Sequence, residues 1–117
     1  MPAGLCSIHG QQPGGGKVIR HIVMWTLKEG PDGATRAQNA LQVKAWLDAC
    51  SDIVPGILCF EAVFAQAGLE SSCDVMLYSE FASLAALEAY NAHPQHQLLK
   101  TRVAPLREAR HGFDYQA

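Results

Sequence analysis

The chain has 117 residues, 49% of them apolar, enough for one domain with a packed core and too few for two. Its formal net charge of -2 gives no electrostatic reason to expect nucleic acid or an anionic membrane as a partner. No apolar run approaches the ~20 residues that a membrane-spanning helix needs, and the first residues lack the basic-then-apolar order of a secretion signal.

Residues 1–17, MPAGLCSIHGQQPGGGK, have no hydrophobic period and close on a glycine triplet, so a disordered tail is expected there and the domain runs from 18 to 117. Cys6 and His9 fall in that tail and receive no role. From Val18 the pattern changes: VIRHIVMWTL is β-branched and aromatic, the signature of a strand. One face of it carries Ile19, His21, Val23, Trp25 and Leu27, the other Arg20, Ile22, Met24 and Thr26. EGPDG at 29–33 reads as a turn. Ala34 to Cys50 follows as a helix, with Ala40, Val43, Leu47, Cys50 and Val54 on one apolar stripe.

VPG at 54–56 closes that helix. ILCFEAVFA is a second strand and CDVMLYSEF a third, and the short loop between them predicts an antiparallel hairpin. SLAALEAYNA predicts a helix capped by Ser83, HPQHQLLKTRVA another that starts at the proline, and RHGFDYQ a last short strand. The order β-α-β-β-α-β, with its second helix broken in two, is an α+β, ferredoxin-like plan: a four-stranded antiparallel sheet with helices on one face. Helices can cover only that face, yet Ile22, Met24 and both sets of β2 side chains are apolar. A solvated face should alternate to polar residues, so a second copy is expected to cover the sheet as a homodimer.

The reactive side chains crowd into YNAHPQH, residues 90–96. Pro94 at the first helical position puts His93 at the N-cap and His96 in the first turn. His96, Leu99, Val103 and Leu106 then share the inward stripe. The positive end of the helix dipole disfavours imidazolium, so a neutral His96 is expected, the form a general base or a metal ligand requires. Asp114 in FDY is the candidate acid to orient it, and Tyr90 could donate to a developing oxyanion. The bland reading is a satisfied His–Asp pair at a helix start. A metal is not expected, because His93 and His96 would have to converge and no third ligand is in sight. Lys100, Arg102, Arg107 and Arg110 read as a solvated helix face, and Trp25 and Trp46 as core. Four cysteines are present, none at the two- to four-residue spacing of a zinc site; Cys50, Cys59 and Cys73 sit in apolar surroundings and read as buried, unpaired thiols of a reducing cytoplasm.

VIRHIVMWTLKEG at the first strand, VPGILCFEAV after the first helix, DVMLYSEFAS at the third strand, HPQH and the closing FDYQ together resemble the stress-responsive A/B barrel domain (Dabb) family, over Val18 to Gln116. The resemblance implies a homodimer whose two sheets pack into a dimeric α/β barrel. The family includes plant stress proteins, many members without assigned activity and a cofactor-independent plant polyketide cyclase. Carried over from that cyclase, the second histidine of HPxH is His96, the catalytic tyrosine six residues before it is Tyr90, the last-strand aspartate is Asp114 and the first-strand pocket histidine is His21. Where the cyclase's first helix gives its pocket a tyrosine, this chain has Leu47.

The expectation is thus a cytoplasmic homodimer with a small-molecule pocket between sheet and helices. His96, Tyr90 and Asp114 are its catalytic candidates, and His21, Val23, Trp25, Leu47, Leu77 and Leu99 line it. No cofactor, metal, nucleic acid or membrane is expected. Its chemistry would be cofactor-free proton transfer of cyclase or lyase type. A non-catalytic stress-associated structural protein is the alternative, and a haem or quinone-type monooxygenase of the same superfamily a weaker one.

Overall fold

A computed structural model of the chain describes residues 17–29 and 35–117. Residues 1–16 of the expected tail and most of the turn at 29–33 lie outside the described residues. Seven elements follow one another: β1 (Ile19–Leu27), α1 (Arg36–Asp48), β2 (Ile57–Phe64), β3 (Val75–Phe81), α2 (Leu84–Ala92), α3 (Pro94–Val103) and β4 (Arg107–Gln116). The strands form one antiparallel sheet in the order β2-β3-β1-β4, so the fold is α+β and ferredoxin-like, as expected.

Local chemistry sets the boundaries. α1 starts two residues later than its apolar stripe suggests, because Thr35 caps it: the Gln38 amide donates to the Thr35 hydroxyl at 3.1 Å and the Thr35 amide to the Gln38 side chain at 2.8 Å. The Ser83 hydroxyl caps α2 by accepting from the Ala86 amide at 3.1 Å, as predicted. His93 caps α3, its Nδ1 accepting from the Gln95 amide at 3.0 Å. The break between α2 and α3 falls at this histidine because Pro94, with no amide hydrogen, begins the next helix. Asp74 ties the near end of the fold together. It accepts from the Leu27 amide at 2.7 Å, and the Arg36 guanidinium at the start of α1 donates to both its oxygens.

Strand parity then sorts the side chains. Val23, Trp25 and Leu27 of β1, Phe60 and Ala62 of β2, and Val75, Leu77 and Phe81 of β3 form the core with Val43 and Leu47 of α1, Leu87 and Tyr90 of α2, and Leu99 and Val103 of α3. The opposite face stays open. Register places Ile22 between Tyr78 and Phe113, and Met24 between Met76 and His111. Phe113 is 65% exposed and Tyr115 and Met24 are also exposed, so the apolar outer face inferred from the alternation is present.

Two readings are corrected. β4 begins at Arg107 instead of Arg110, because backbone pairing with β1 continues past the last apolar residue, through an irregularity at Thr26/Leu27. Cys50 and Cys73 are free thiols, but Cys59 is disulfide-bonded, which removes one support for a reducing compartment. Burial pushes the Cys50 thiol pKa up, so it behaves as an inert small hydrophobe. No helix among the described residues is long and apolar enough to cross a membrane.

Two glycines separate backbone strain from crowding. Gly56 (φ 93°) and Gly68 (φ 85°) both have a positive φ that side chains disfavour, but a Cβ on Gly56 would lie 2.9 Å from the Ala86 Cβ on α2, whereas at Gly68 it would meet nothing within 4 Å. Gly68→Ala is expected to cost about 1 kcal/mol and Gly56→Ala about 2–4 kcal/mol, read from urea unfolding midpoints. Equal losses would show that α2 can shift freely away from the loop.

Candidate functional site

α1 packs mainly against β2 and β3, which leaves the β1–β4 half of the inner face beneath α3 and the end of α2. There the structure holds a cavity of about 350 Å3. All nine residues singled out from the sequence line it: His21, Val23, Trp25, Leu47, Leu77, Tyr90, His96, Leu99 and Asp114. Trp25 is buried in its wall and does not fill it. A volume of this size is at the lower end of what small-molecule sites offer.

The polar wall is arranged differently from the sequence expectation. Asp114 does not orient His96. β1 and β4 pair so that His21 and Asp114 are direct cross-strand neighbours, and the Asp114 carboxylate lies 2.5 Å from His21 Nδ1. A carboxylate can only accept, so Nδ1 carries a proton and donates it to Asp114. His96 instead places its Nδ1 3.1 Å from the backbone carbonyl of Asn91. A carbonyl also only accepts, so His96 likewise carries its proton on Nδ1 and leaves Nε2 free.

Burial, with Lys100, His21 and Arg110 nearby, pulls the His96 pKa from 6.5 down to about 4, against a smaller opposing effect of the Asn91 carbonyl. The expected neutral imidazole is therefore present, with desolvation as the main cause.

Tyr90 stands between the two imidazoles, its ring centroid 4.6 Å from that of His96 and 6.3 Å from that of His21. It is fully buried, and its hydroxyl has no hydrogen-bond partner. Burial holds the phenol pKa well above its usual value, so the hydroxyl remains a proton donor. An unmade hydrogen bond at a buried group costs about 1–3 kcal/mol. Tyr90 also lines the cavity, so its unpaired hydroxyl lies on a residue that a ligand would touch.

Part of the site escaped the sequence reading. Lys100, Arg107 and Arg110, read as a solvated face, line the cavity, whereas Arg102 stacks over the Trp46 ring at 5.7 Å. The signal was strand parity: Arg110, Gly112 and Asp114 alternate onto the inner face of β4. Asn91, at the end of α2, was missed as well. His93 is spent on its helix cap and does not join His96, and no group of three potential metal ligands converges among the described residues.

The family model of the stress-responsive A/B barrel domain matches residues 19–117. No curated protein matches the chain. A Dabb family protein with a ferredoxin-like fold from Mesorhizobium loti is 28% identical, superimposes with a TM-score of 0.62, and the match covers 85% of this chain and 95% of that one. A dimeric ferredoxin-like protein of unknown function from Bacteroides fragilis is 24% identical with a TM-score of 0.69, over 86% of this chain and 96% of that one. A dimeric ferredoxin-like protein of unknown function from Thermobifida fusca is 19% identical with a TM-score of 0.72, over 87% and 92%. With the family model spanning every element from β1 to the end of β4, the chain belongs to the stress-responsive A/B barrel domain family.

Proposed function

We propose that the chain is a homodimer, closed through its open sheet face, and that its cavity binds a small organic molecule and moves a proton on it without a cofactor. The observation that carries the binding reading is a cavity of about 350 Å3 that brings Tyr90, His21, His96 and Asp114 together. A structural protein gains nothing from gathering a phenol, two imidazoles and a carboxylate around an empty space, and the buried Tyr90 hydroxyl still lacks an acceptor that a small shift of the ring toward a ligand would supply.

The roles follow from what stands behind each imidazole. A base that accepts a proton becomes a cation, and only His21 has a carboxylate beside it to stabilise that cation. His96 has a neutral carbonyl behind it and cations beside it, so it serves as a hydrogen-bond acceptor that orients the ligand. His21 is therefore the proposed proton acceptor, Asp114 its orienting partner, and Tyr90 the donor to a developing enolate oxygen. The base role moves from His96 to His21, because the aspartate faces the strand histidine and not the helix one.

For the dimer, the support is the run of Ile22, Met24, Met76 and the exposed Phe113 across the uncovered face, together with the dimeric state of two similar proteins. Light scattering should give twice the 12.7 kDa chain mass, and Phe113→Asp should return it to the single-chain mass. A single-chain mass for the unmodified protein at micromolar concentration would defeat this.

Proton transfer can be assayed before any natural substrate is known. With 4-phenyl-2-butanone in D2O, deuterium should enter the α-carbons faster than in buffer, and His21→Ala or Asp114→Asn should slow that about 100-fold or more. His96→Ala should raise KM more than it lowers kcat. Exchange no faster than in buffer would leave a binding protein without catalysis. His96 itself should titrate by NMR near 4, not 6.5. Its neutral form is favoured by folding, so the stability it contributes is complete above pH 6.5 and is lost as pH falls toward 4; His96→Gln should flatten that part of the stability profile.

A further inference from the structure

Three cations and one carboxylate line the cavity, and the carboxylate is already engaged. Lys100 projects from α3, and Arg107 and Arg110 from β4. None of the three makes an ion pair among the described residues, whose ion pairs use Arg20, His21, Arg36 and Lys44. Asp114 is turned to His21. Like charges gathered in one lining repel, and among the described residues only Asp114 of that lining carries the opposite charge.

Arg110 is also given room. A Cβ on Gly112 would lie 3.2 Å from Arg110 Nη1, 3.6 Å from Nη2 and 3.7 Å from Cζ, so the guanidinium rests across bare backbone. Gly112 is not among the positive-φ glycines, so its backbone does not require glycine. The space does. It sits on the inner face of β4 opposite Val23, beside the apolar wall formed with Trp25, Leu47 and Leu77.

The geometry points to an amphipathic organic anion as the ligand: an aryl or alkyl carboxylate whose apolar body lies against Val23, Trp25 and Leu47 and whose carboxylate is held by Arg110, with Lys100 and Arg107 at the opening. A planar guanidinium meets a carboxylate with two parallel charge-assisted hydrogen bonds, which a neutral ligand cannot form. The inference rests on the cavity being a binding site, as proposed above, but not on its catalysing anything.

The test uses the full chain and two matched pairs, 4-phenylbutyrate with 4-phenylbutanamide and octanoate with octanamide, titrated by calorimetry near neutral pH and low ionic strength. Each acid should bind about tenfold or more tightly than its amide, the scale of one retained charge-assisted contact. Arg110→Gln should bring acid and amide within about threefold by weakening the acid alone, Gly112→Ala should do the same in part, and Arg102→Gln should change neither. Independently of affinity, the acid should raise the NMR titration midpoint of His96 above about 4 by neutralising the cations beside it, and the amide should not. Equal binding of acid and amide would overturn the anion inference while leaving the cavity reading intact. An acid preference that survives Arg110→Gln would overturn the assignment to Arg110. Failure of all four probes to bind would overturn the inference together with the cavity reading beneath it.

Discussion

The antiparallel pairing of β1 with β4 is the constraint on which the site depends. It sets His21 opposite Asp114, Val23 opposite Gly112 and Trp25 opposite Arg110. A slip of one residue would turn the aspartate and the arginine to the outer face and bring Phe113 inward. β4 has little burial of its own to hold this register, since every residue in it is exposed except the half-buried Ala109. Its order comes from the backbone ladder to β1 and is extended by the Lys28 amide donating to Leu106 at 3.0 Å.

The cavity is a result of unequal coverage. Three helix segments cannot tile four twisted strands evenly, and the tightest packing falls where α1 meets β2 and β3. Over β1 and β4 the cover is α3, whose inward stripe of Leu99 and Val103 begins with His96, half-buried in place of an apolar side chain. The break at His93 and Pro94 brings the end of α2, with Tyr90 and Asn91, to the same space. One interrupted helix therefore supplies the phenol, the second imidazole and the carbonyl that fixes its tautomer. Among the side-chain nitrogens and oxygens of the described residues, only the Tyr90 hydroxyl and Arg20 Nε are buried without a hydrogen bond, and Arg20 Nε still has the Glu80 carboxylate 3.7 Å away.

Much of this was legible in the chain. Alternation in β1 and β3 separates inner from outer side chains correctly, and HPQH announces a helix start whose histidine looks inward. The element order and the sheet topology follow from those patterns and the short β2–β3 loop. What was not legible is pairing across distance. Proximity of an aspartate to a histidine was inferred, but which histidine depends on register between strands some 90 residues apart, and no local pattern encodes it. The cations are exposed, as expected, but Arg107 and Arg110 lie on a polar strand held by backbone bonds instead of a helix, so hydrophobic periodicity was silent there. Thr35, a cap with its reciprocal glutamine, was present in the sequence as TRAQ and sharpens the start of α1 once seen.

The two faces of β4 have opposite characters: Phe113 and Tyr115 look outward, while Arg110, Gly112 and Asp114 look inward. A second subunit seated on the outer side chains would clamp the same ribbon that carries the inner ones. Assembly state and site integrity would then be one mechanical property, and dilution below the dimer's dissociation constant would loosen the ribbon and scatter the polar wall. In that arrangement the abundance of the protein, with no separate effector, sets how much working site a cell contains.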